Sequence, residues 1–235
     1  MEPAVLRQHR RFQVPGRDYP AAVAHSGHSV SGGVRQVLRA EDWSALDRYE
    51  GSEYRRVPCS VEVQSRQLRA QVYLYDLESE LSVEPLQQQR GWLPCVARWL
   101  HGSSAWLHGD EPLAALETRL HQRLATGGSL QIIVAACSGE PVGAVQLLDQ
   151  PVGRFPDAAL WLADVYVRPD LRGIGIGARL LRHVLARAQA LGVERVGLVC
   201  AAENEGFYRT LGFSTLEHRA RLGQSVALMQ RMISV

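Results

Sequence analysis

This sequence of 235 residues contains no lysine, and the 26 residues counted as lysine plus arginine are all arginine. A Schiff-base nucleophile and the phosphate-binding residue of a P-loop must both be lysine, so the composition excludes those two kinds of site. The arginines are nearly balanced by 24 acidic residues, and the net charge is only +2. A charge this small gives no strong field for a nucleic acid or an anionic membrane.

Cysteines are few and widely spaced. The four of them are Cys59, Cys95, Cys137 and Cys200. No two have the short spacing of a metal site or a redox motif, so buried free thiols are expected. His25 and His28 lie close together, but in a stretch rich in glycine and serine that brings no further ligand. We therefore predict no metal cofactor.

Long apolar runs are also lacking. No run approaches the roughly 20 residues of a membrane-spanning helix, and the N-terminal MEPAVLRQHRR has no apolar signal-peptide core. The sequence therefore predicts a cytoplasmic protein without a membrane partner. Arg7, Arg10 and Arg11 form a short basic run, but no pattern of stacking aromatic residues accompanies it. Nucleic acid is thus not expected as a partner either.

The two halves of the sequence differ in pattern. Up to residue 78, short segments alternate apolar and polar residues, as half-buried strands do. The predicted elements are strands over 32–38, 57–63 and 68–77 and a helix over 40–49. The stretch 76–85 is polar and charged, and we place the domain boundary there. The prediction is one domain over 1–78 and a second over 80–235.

A glycine-rich stretch lies near the middle of the second half. RPDLRGIGIGARLL (168–181) places three glycines between a strand predicted over 159–167 and an amphipathic helix. The apolar stripe of this helix is Ile176, Leu180, Val184, Ala188 and Leu191, and Gly192 ends it. A helix start exposes unpaired N–H groups, and glycine lets a phosphate approach them, so the stretch favours an anion site. A tight strand-to-helix turn with no ligand is the alternative interpretation.

A dinucleotide-binding site does not fit this stretch. Gly173, Gly175 and Gly177 are not spaced as G-x-G-x-x-G. The acidic ribose partner would have to be Glu194, which precedes a predicted strand instead of ending one.

The stretch instead resembles the GNAT superfamily of acyl-CoA-dependent N-acyltransferases. Arg172, Gly175 and Gly177 match its R/Q-x-x-G-x-G/A signature, and NEGFYRTLGF (204–213) is similar to its later asparagine, tyrosine and LGF turn. The element order predicted from residue 80 onward, β, α, α, β, β, β, α, β, α, β, β, is also that of the family. The resemblance covers about two thirds of the chain and implies an α+β fold with a mixed sheet flanked by helices.

The resemblance implies roles for several residues, with acetyl-CoA as co-substrate in a V between two strands. Tyr208 would protonate the leaving thiolate, or else pack as an aromatic residue beside Phe207. Asp164 would accept the amine proton, or else face solvent. Asn204 would contact the cofactor arm. The remaining cofactor-binding residues implied are Val165, Tyr166, Val167, Arg172, Gly173, Ile174, Gly175, Ile176 and Gly177.

A second resemblance covers the first domain. VPGRDYPAAV, LDRYEGSEYRR and AQVYLY are similar to the γ-glutamylcyclotransferase-like family, a small mixed β-barrel. Those enzymes let the α-amine of a γ-glutamyl amide attack its own γ-carbonyl and release 5-oxoproline. The resemblance makes Glu50 the base, and a surface glutamate at a helix end is the alternative. The family's Y-G-x-L loop has no counterpart here, so an inactive domain and a start codon assigned too late are both open.

We therefore predict an acetyl-CoA-dependent N-acyltransferase for a small primary amine, fused to a cyclotransferase-like domain that would act on a γ-glutamyl amide or be inactive. The alternative is a non-catalytic acyl-CoA sensor or assembly module, and a homodimer is left open. Trp161 and residues 86–108 are expected to line the acceptor pocket. The seven-residue spacing of Trp92, Trp99 and Trp106 is equally typical of core packing.

Overall fold

The structure is a computed structural model and describes residues 1–36, 39–103, 111–126, 131–148, 160–221 and 223–233. The chain divides into two compact units. The first comprises Met1–Ser82, Cys137–Glu140 and Pro169–Ile174, and the second comprises Val83–Ala136, Pro141–Arg168 and Gly175–Val235.

The first unit is built on a four-stranded sheet with the order β2-β1-β3-β4 and antiparallel neighbours. Its elements are β1 (Glu2–Gln13), β2 (Pro20–Val34), α1 (Ala40–Glu50), β3 (Tyr54–Val63), β4 (Arg66–Tyr75) and α2 (Leu77–Glu80). Gln64 and Ser65 both have positive φ, of 45° and 65°, and join β3 to β4 in a two-residue hairpin. Leu6, Val61 and Val63 form a buried cluster on this sheet.

The predicted helix and the strands over 57–63 and 68–77 agree with these elements. The strand predicted over 32–38 is the end of the much longer β2, and residues 37–38 lie outside the described part. Neither β1 nor the first part of β2 was predicted. The glycines and serines around His25 and His28 hide the strand pattern, and a register shift between Arg7 and His9 interrupts its alternation.

The second unit contains a seven-stranded sheet with the order β10-β11-β9-β8-β7-β6-β5. Its strands are β5 (Leu81–Pro85), β6 (Gln131–Cys137), β7 (Glu140–Leu148), β8 (Leu160–Val167), β9 (Arg195–Ala201), β10 (Ser214–Arg221) and β11 (Gln224–Met232). Its helices are α3 (Leu93–Ser103), α4 (Leu113–Thr126), α5 (Ile176–Ala190) and α6 (Glu205–Thr210). Single 3-10 turns cover Leu86–Gln88, Arg90–Trp92, Pro169–Leu171 and Ala202–Asn204. The mixed sheet flanked by helices, preceded by a small β unit, confirms the predicted fold class.

Apolar residues at helical spacing explain the packing of the helices. One core cluster joins Leu93, Val96, Leu100, Leu116 and Leu120 of α3 and α4 to Ile132 and Val134 of β6. In α5 the predicted stripe is buried from Ile176 to Ala188, but Leu191 is 68 % exposed. Leu191 follows the last helical residue, and Gly192 with φ 71° turns the chain away.

Three further expectations concern single side chains. All four cysteines are free thiols, with Cys137 and Cys200 buried and Cys59 and Cys95 only half-buried. Within the described ranges, no group of three or more His, Cys, Asp and Glu side chains is arranged to hold a metal ion. Trp161 is only 2 % exposed, so it belongs to the core and not to the wall of an open pocket.

No helix in the described part of the chain is long and apolar enough to cross a membrane.

Candidate functional site

The two central strands of the larger sheet separate along their length. β8 and β9 run parallel and pair at Leu160 with Val196, Trp161 with Gly197 and Leu162 with Leu198. Over the described part of both strands, no registered pair follows these three. The backbone of Val165–Val167 therefore lies beside an opening in the sheet, where a ligand can take the place of a neighbouring strand.

Asp164 is the residue at which β8 bends. Its φ is 51°, in the left-handed region that aspartate tolerates better than most residues, and the β7–β8 register shifts between Ala144 and Gln146. The side chain is 7 % exposed, and Gln146 Nε2 donates a hydrogen bond to Asp164 Oδ2. The carboxylate therefore does not face bulk solvent, which was the alternative interpretation of this residue.

The glycine-rich turn ends at the start of α5. Gly173 and Gly175 have φ of 81° and 99°, and Gly175 is the N-cap of this 15-residue helix. A Cβ at Gly175 would meet no atom within 4 Å, so the surface there is open. A Cβ at Gly177 would lie 3.3 Å from Phe207 Cζ and 3.5 Å from Val167 Cγ2. The first turn of α5 thus packs closely on α6 and on the end of β8, and the unpaired N–H groups of a helix start are donors that an anion can accept.

α6 carries the predicted acid. Tyr208 is 7 % exposed, and its ring contacts those of Phe207 and Phe213 at centroid distances of 5.0 and 6.0 Å. Burial raises the pKa of the Tyr208 phenol well above its ordinary value. Asn204 is exposed at the N-cap of the same helix. Tyr208 is therefore a packed aromatic residue whose phenol is protonated at neutral pH.

Three residues that sequence reasoning missed form a cluster at α6. Glu205 is 8 % exposed, and its carboxylate pairs with His218 of β10 and, at 2.7 Å, with Arg209 Nη2. Glutamate, arginine and histidine at these spacings are ordinary on exposed surfaces, so no sequence pattern marks the cluster.

Aromatic side chains flank β8 on the side of α3. The rings of Trp99 and Tyr166 stack with a centroid distance of 5.0 Å and an interplanar angle of 22°. Trp92 and Trp99 are partly buried and also pack against the core cluster of α3 and α4, so core packing accounts for part of their burial. Trp106 lies outside the described residues. Of the predicted tryptophans, Trp99 is therefore the one placed against a candidate site residue.

The first unit contains its own cavity, of about 700 Å³. Its walls are Arg11, Tyr19, Pro20, Ala21, Ala22, Val30, Tyr49, Glu50, Glu53, Tyr54 and Tyr73. Glu50 is half-buried at the end of α1, and burial raises the pKa of its carboxyl. A glutamate in this setting is a stronger base than one on an open surface.

The motif around Glu50 is fixed by its neighbours. Asp47 accepts hydrogen bonds from Tyr73 Oη at 2.7 Å and from Arg56 Nε and Nη2 at 2.9 and 3.1 Å. The Tyr73 hydrogen bond, followed by the Arg56 contacts, lowers the pKa of Asp47. Gly51 has φ 81° and ends α1. These contacts hold the last turn of α1 to β3 and β4 and aim Glu50 at the cavity.

Comparisons with known protein families cover both halves of the chain. The model described as the acetyltransferase (GNAT) family matches residues 93–213, half of the chain. The model described as gamma-glutamyl cyclotransferase, AIG2-like, matches residues 1–94. Both resemblances read from the motifs are thereby confirmed.

One curated relative is serotonin N-acetyltransferase 2, chloroplastic, of Oryza sativa subsp. japonica. It is 31 % identical over 85 residues, which is 36 % of this chain and 40 % of that protein. The match thus spans less than half the length of the relative.

Solved structures share the fold of the second half. Spermidine N-acetyltransferase from Vibrio cholerae, in complex with CoA and spermine, has a TM-score of 0.53 at 19 % identity, over 66 % of this chain and 96 % of its own. YncA of Salmonella typhimurium, with its cofactor acetyl-CoA, has a TM-score of 0.50 at 17 % identity, over 66 % of this chain and 95 % of its own. At these identities the likeness is one of fold.

Proposed function

Since this chain belongs to the acetyltransferase (GNAT) family and is an acyltransferase, we propose that it transfers the acetyl group of acetyl-CoA to the primary amine of a small molecule. The observation that carries the proposal is the opening between β8 and β9, which ends at the exposed N-terminus of α5. We place the acyltransferase domain at 80–235 and the cyclotransferase-like domain at 1–78.

The residues present fit acetyl-CoA. Its pantetheine arm, which carries amide groups, would pair with the strand backbone at Val165, Tyr166 and Val167, as a neighbouring strand does. Its diphosphate would accept hydrogen bonds from the amides of Arg172–Gly177, where the glycines keep the backbone accessible. Asn204 would contact the arm from α6.

The chemistry divides between two side chains. Bound acetyl-CoA supplies a thioester carbonyl, at whose carbon the amine nitrogen forms a bond while the carbon–sulfur bond breaks. Asp164 would accept the proton that the amine loses, directly or through a water. Tyr208 Oη would donate a proton to the departing sulfur, which its raised pKa permits throughout the neutral range.

The test of the acid is Tyr208→Phe. The substitution keeps the packing against Phe207 and Phe213 and removes one donor, so the fold should be retained while kcat falls by about 10²-fold. Tyr75→Phe, at a buried tyrosine of the first unit, is the matched control and should leave kcat unchanged. The assay follows CoA release from acetyl-CoA with amino acids, arylalkylamines, polyamines, aminoglycosides and peptides. CoA binding without turnover on any amine would instead favour the sensor function.

The cavity of the first unit favours a second activity, cyclotransfer on a γ-glutamyl amide. Glu50 would accept a proton from the substrate's α-amine as its nitrogen bonds to the γ-carbonyl carbon. The amide carbon–nitrogen bond then breaks, the leaving amine takes up a proton, and 5-oxoproline is released. Only a base is needed because the nucleophile is already tethered to the electrophile. The supporting observation is a half-buried carboxyl facing a cavity of about 700 Å³.

A further inference from the structure

The guanidinium of Arg10, in β1, makes two hydrogen bonds to the turn that precedes α5. Its Nη2 donates a hydrogen bond of 3.1 Å to the carbonyl oxygen of Asp170, and its Nη1 donates to the carbonyl oxygen of Arg172. All three residues belong to the first unit. A guanidinium is a planar fork with fixed donors, so it can hold two carbonyls at once where an ammonium group acts as a point charge.

These two hydrogen bonds also decide where the next amides point. In a trans peptide the C=O and the following N–H point in opposite directions. Because the carbonyls of Asp170 and Arg172 point at Arg10, the N–H groups of Leu171 and Gly173 point to the opposite side. Arg10 therefore presents the amide face of the turn away from β1.

Gly173 lies close against the same part of the first unit. A Cβ at this position would be 2.9 Å from His25 Nε2 and 3.4 Å from Arg10 Nη1. With φ 81°, Gly173 also adopts a backbone conformation that other residues rarely take. The turn thus has little freedom to rotate its peptide planes while Arg10 and His25 remain in place.

We propose that Arg10 is a positioning residue for coenzyme A: it orients the Gly173 amide, and through it the glycine-rich turn, as a diphosphate donor. The inference rests on the proposed function of this turn. This role differs from simple attraction of a phosphate by a positive charge. Nη1 and Nη2 of Arg10 both donate hydrogen bonds to carbonyl oxygens of the turn, so the guanidinium acts on the backbone.

The test compares three variants by calorimetric titration with CoA and by steady-state kinetics. Arg10→Ala should raise the Kd for CoA and the KM for acetyl-CoA by roughly tenfold and leave kcat unchanged. Arg10→Lys keeps the charge but not the fork, so it should show most of the same loss. Arg7→Ala, on the same strand, removes the same charge from an exposed side chain that pairs with half-buried Glu62, and should match the wild type.

Amide hydrogen exchange without ligand gives an independent readout. Peptides covering 169–175 should exchange faster in Arg10→Ala than in the wild type or in Arg7→Ala. Wild-type CoA affinity in Arg10→Lys, or exchange unchanged in Arg10→Ala, would overturn the positioning role. A wild-type protein that binds no CoA would instead overturn the proposed function itself, and the exchange result would still report whether Arg10 holds the turn.

Discussion

Asp164 shows how one residue can serve structure and chemistry at once. Its backbone makes the bend that separates β8 from β9, and its buried carboxylate accepts a hydrogen bond from Gln146. Few side chains suit both tasks, because the left-handed conformation excludes branched residues and the base requires a carboxylate. A substitution that keeps the backbone preference can therefore separate the two roles.

Asp164→Asn is predicted to keep the fold and to lower kcat by about 10²-fold, because an amide cannot accept the amine proton. Asparagine tolerates the left-handed region as aspartate does, so its melting temperature should stay near that of the wild type. Asp164→Ala removes that preference and should lose stability as well. Full activity in Asp164→Asn would mean that the carboxylate only shapes the strand.

Glu50 gives the second prediction at the residue scale. A base works only when deprotonated, and burial raises the pKa of this carboxyl. The acidic limb of kcat/KM for 5-oxoproline release should therefore lie at higher pH than an ordinary glutamate would give, with activity rising as pH increases through it. Glu50→Gln should abolish release, while Glu62→Gln, at an exposed ion pair on β3, should not alter it. An unchanged rate in Glu50→Gln would contradict the assignment.

At the scale of elements, the short helix α6 depends on its neighbours. Six residues are too few for a stable isolated helix, so tertiary contacts must hold it. The buried Glu205 carboxylate supplies one such contact by pairing with His218 of β10. Its pair with Arg209 lies within α6, four residues along, and both partner side chains are more than half exposed. Because solvent screens these two exposed side chains, each pair contributes only modestly to the free energy of unfolding.

Glu205→Ala is predicted to cost about 1–2 kcal/mol of unfolding free energy, which corresponds to a fall of roughly 2–8 °C in Tm. Because Tyr208 lies on the same helix, kcat should fall too. Glu217→Ala breaks an ion pair whose two side chains are 46 % and 44 % exposed, and its Tm should stay close to that of the wild type. Thermal unfolding and CoA-release rates measure both effects, and equal behaviour of the two variants would refute the special role of Glu205.

Helices and strands whose apolar residues repeat with a regular spacing could be predicted from the sequence, whereas contacts between residues far apart in the chain could not. The stripe from Ile176 to Ala188 and the apolar runs of β6–β9 identified their elements directly, and the glycine and LGF motifs marked the proposed cofactor site. β1 and the start of β2 escaped because small and polar residues dilute their alternation. The Arg10 hydrogen bonds join residues 160 and 162 positions apart, and no local pattern encodes such a pairing.

At the scale of the whole molecule, two sites with complementary chemistry share one chain. Cyclotransfer would free an amine, and acyl transfer would consume one. We therefore predict that the γ-glutamyl amide of the best acceptor yields both 5-oxoproline and the N-acetyl amine when acetyl-CoA is present.

Two variants dissect this coupling. Glu50→Gln should stop both products, because no amine is released, whereas Tyr208→Phe should slow only acetylation. Mass spectrometry of the reaction mixture distinguishes the cases. Release of 5-oxoproline without acetylation of the freed amine, or the absence of both products, would contradict the coupling.

The separation of β8 from β9 has a consequence for how this enzyme can change. In the proposed acetyl-CoA site, most of the groups that contact the cofactor are main-chain groups. Cofactor binding should therefore depend little on the bordering side chains, provided the bend in β8 and the glycines remain. Substitutions on α3, including at Trp99, can then redirect the enzyme to a new acceptor while its use of the thioester is preserved. Libraries that randomise α3 outside its buried core residues should accordingly shift acceptor preference far more often than they abolish coenzyme turnover.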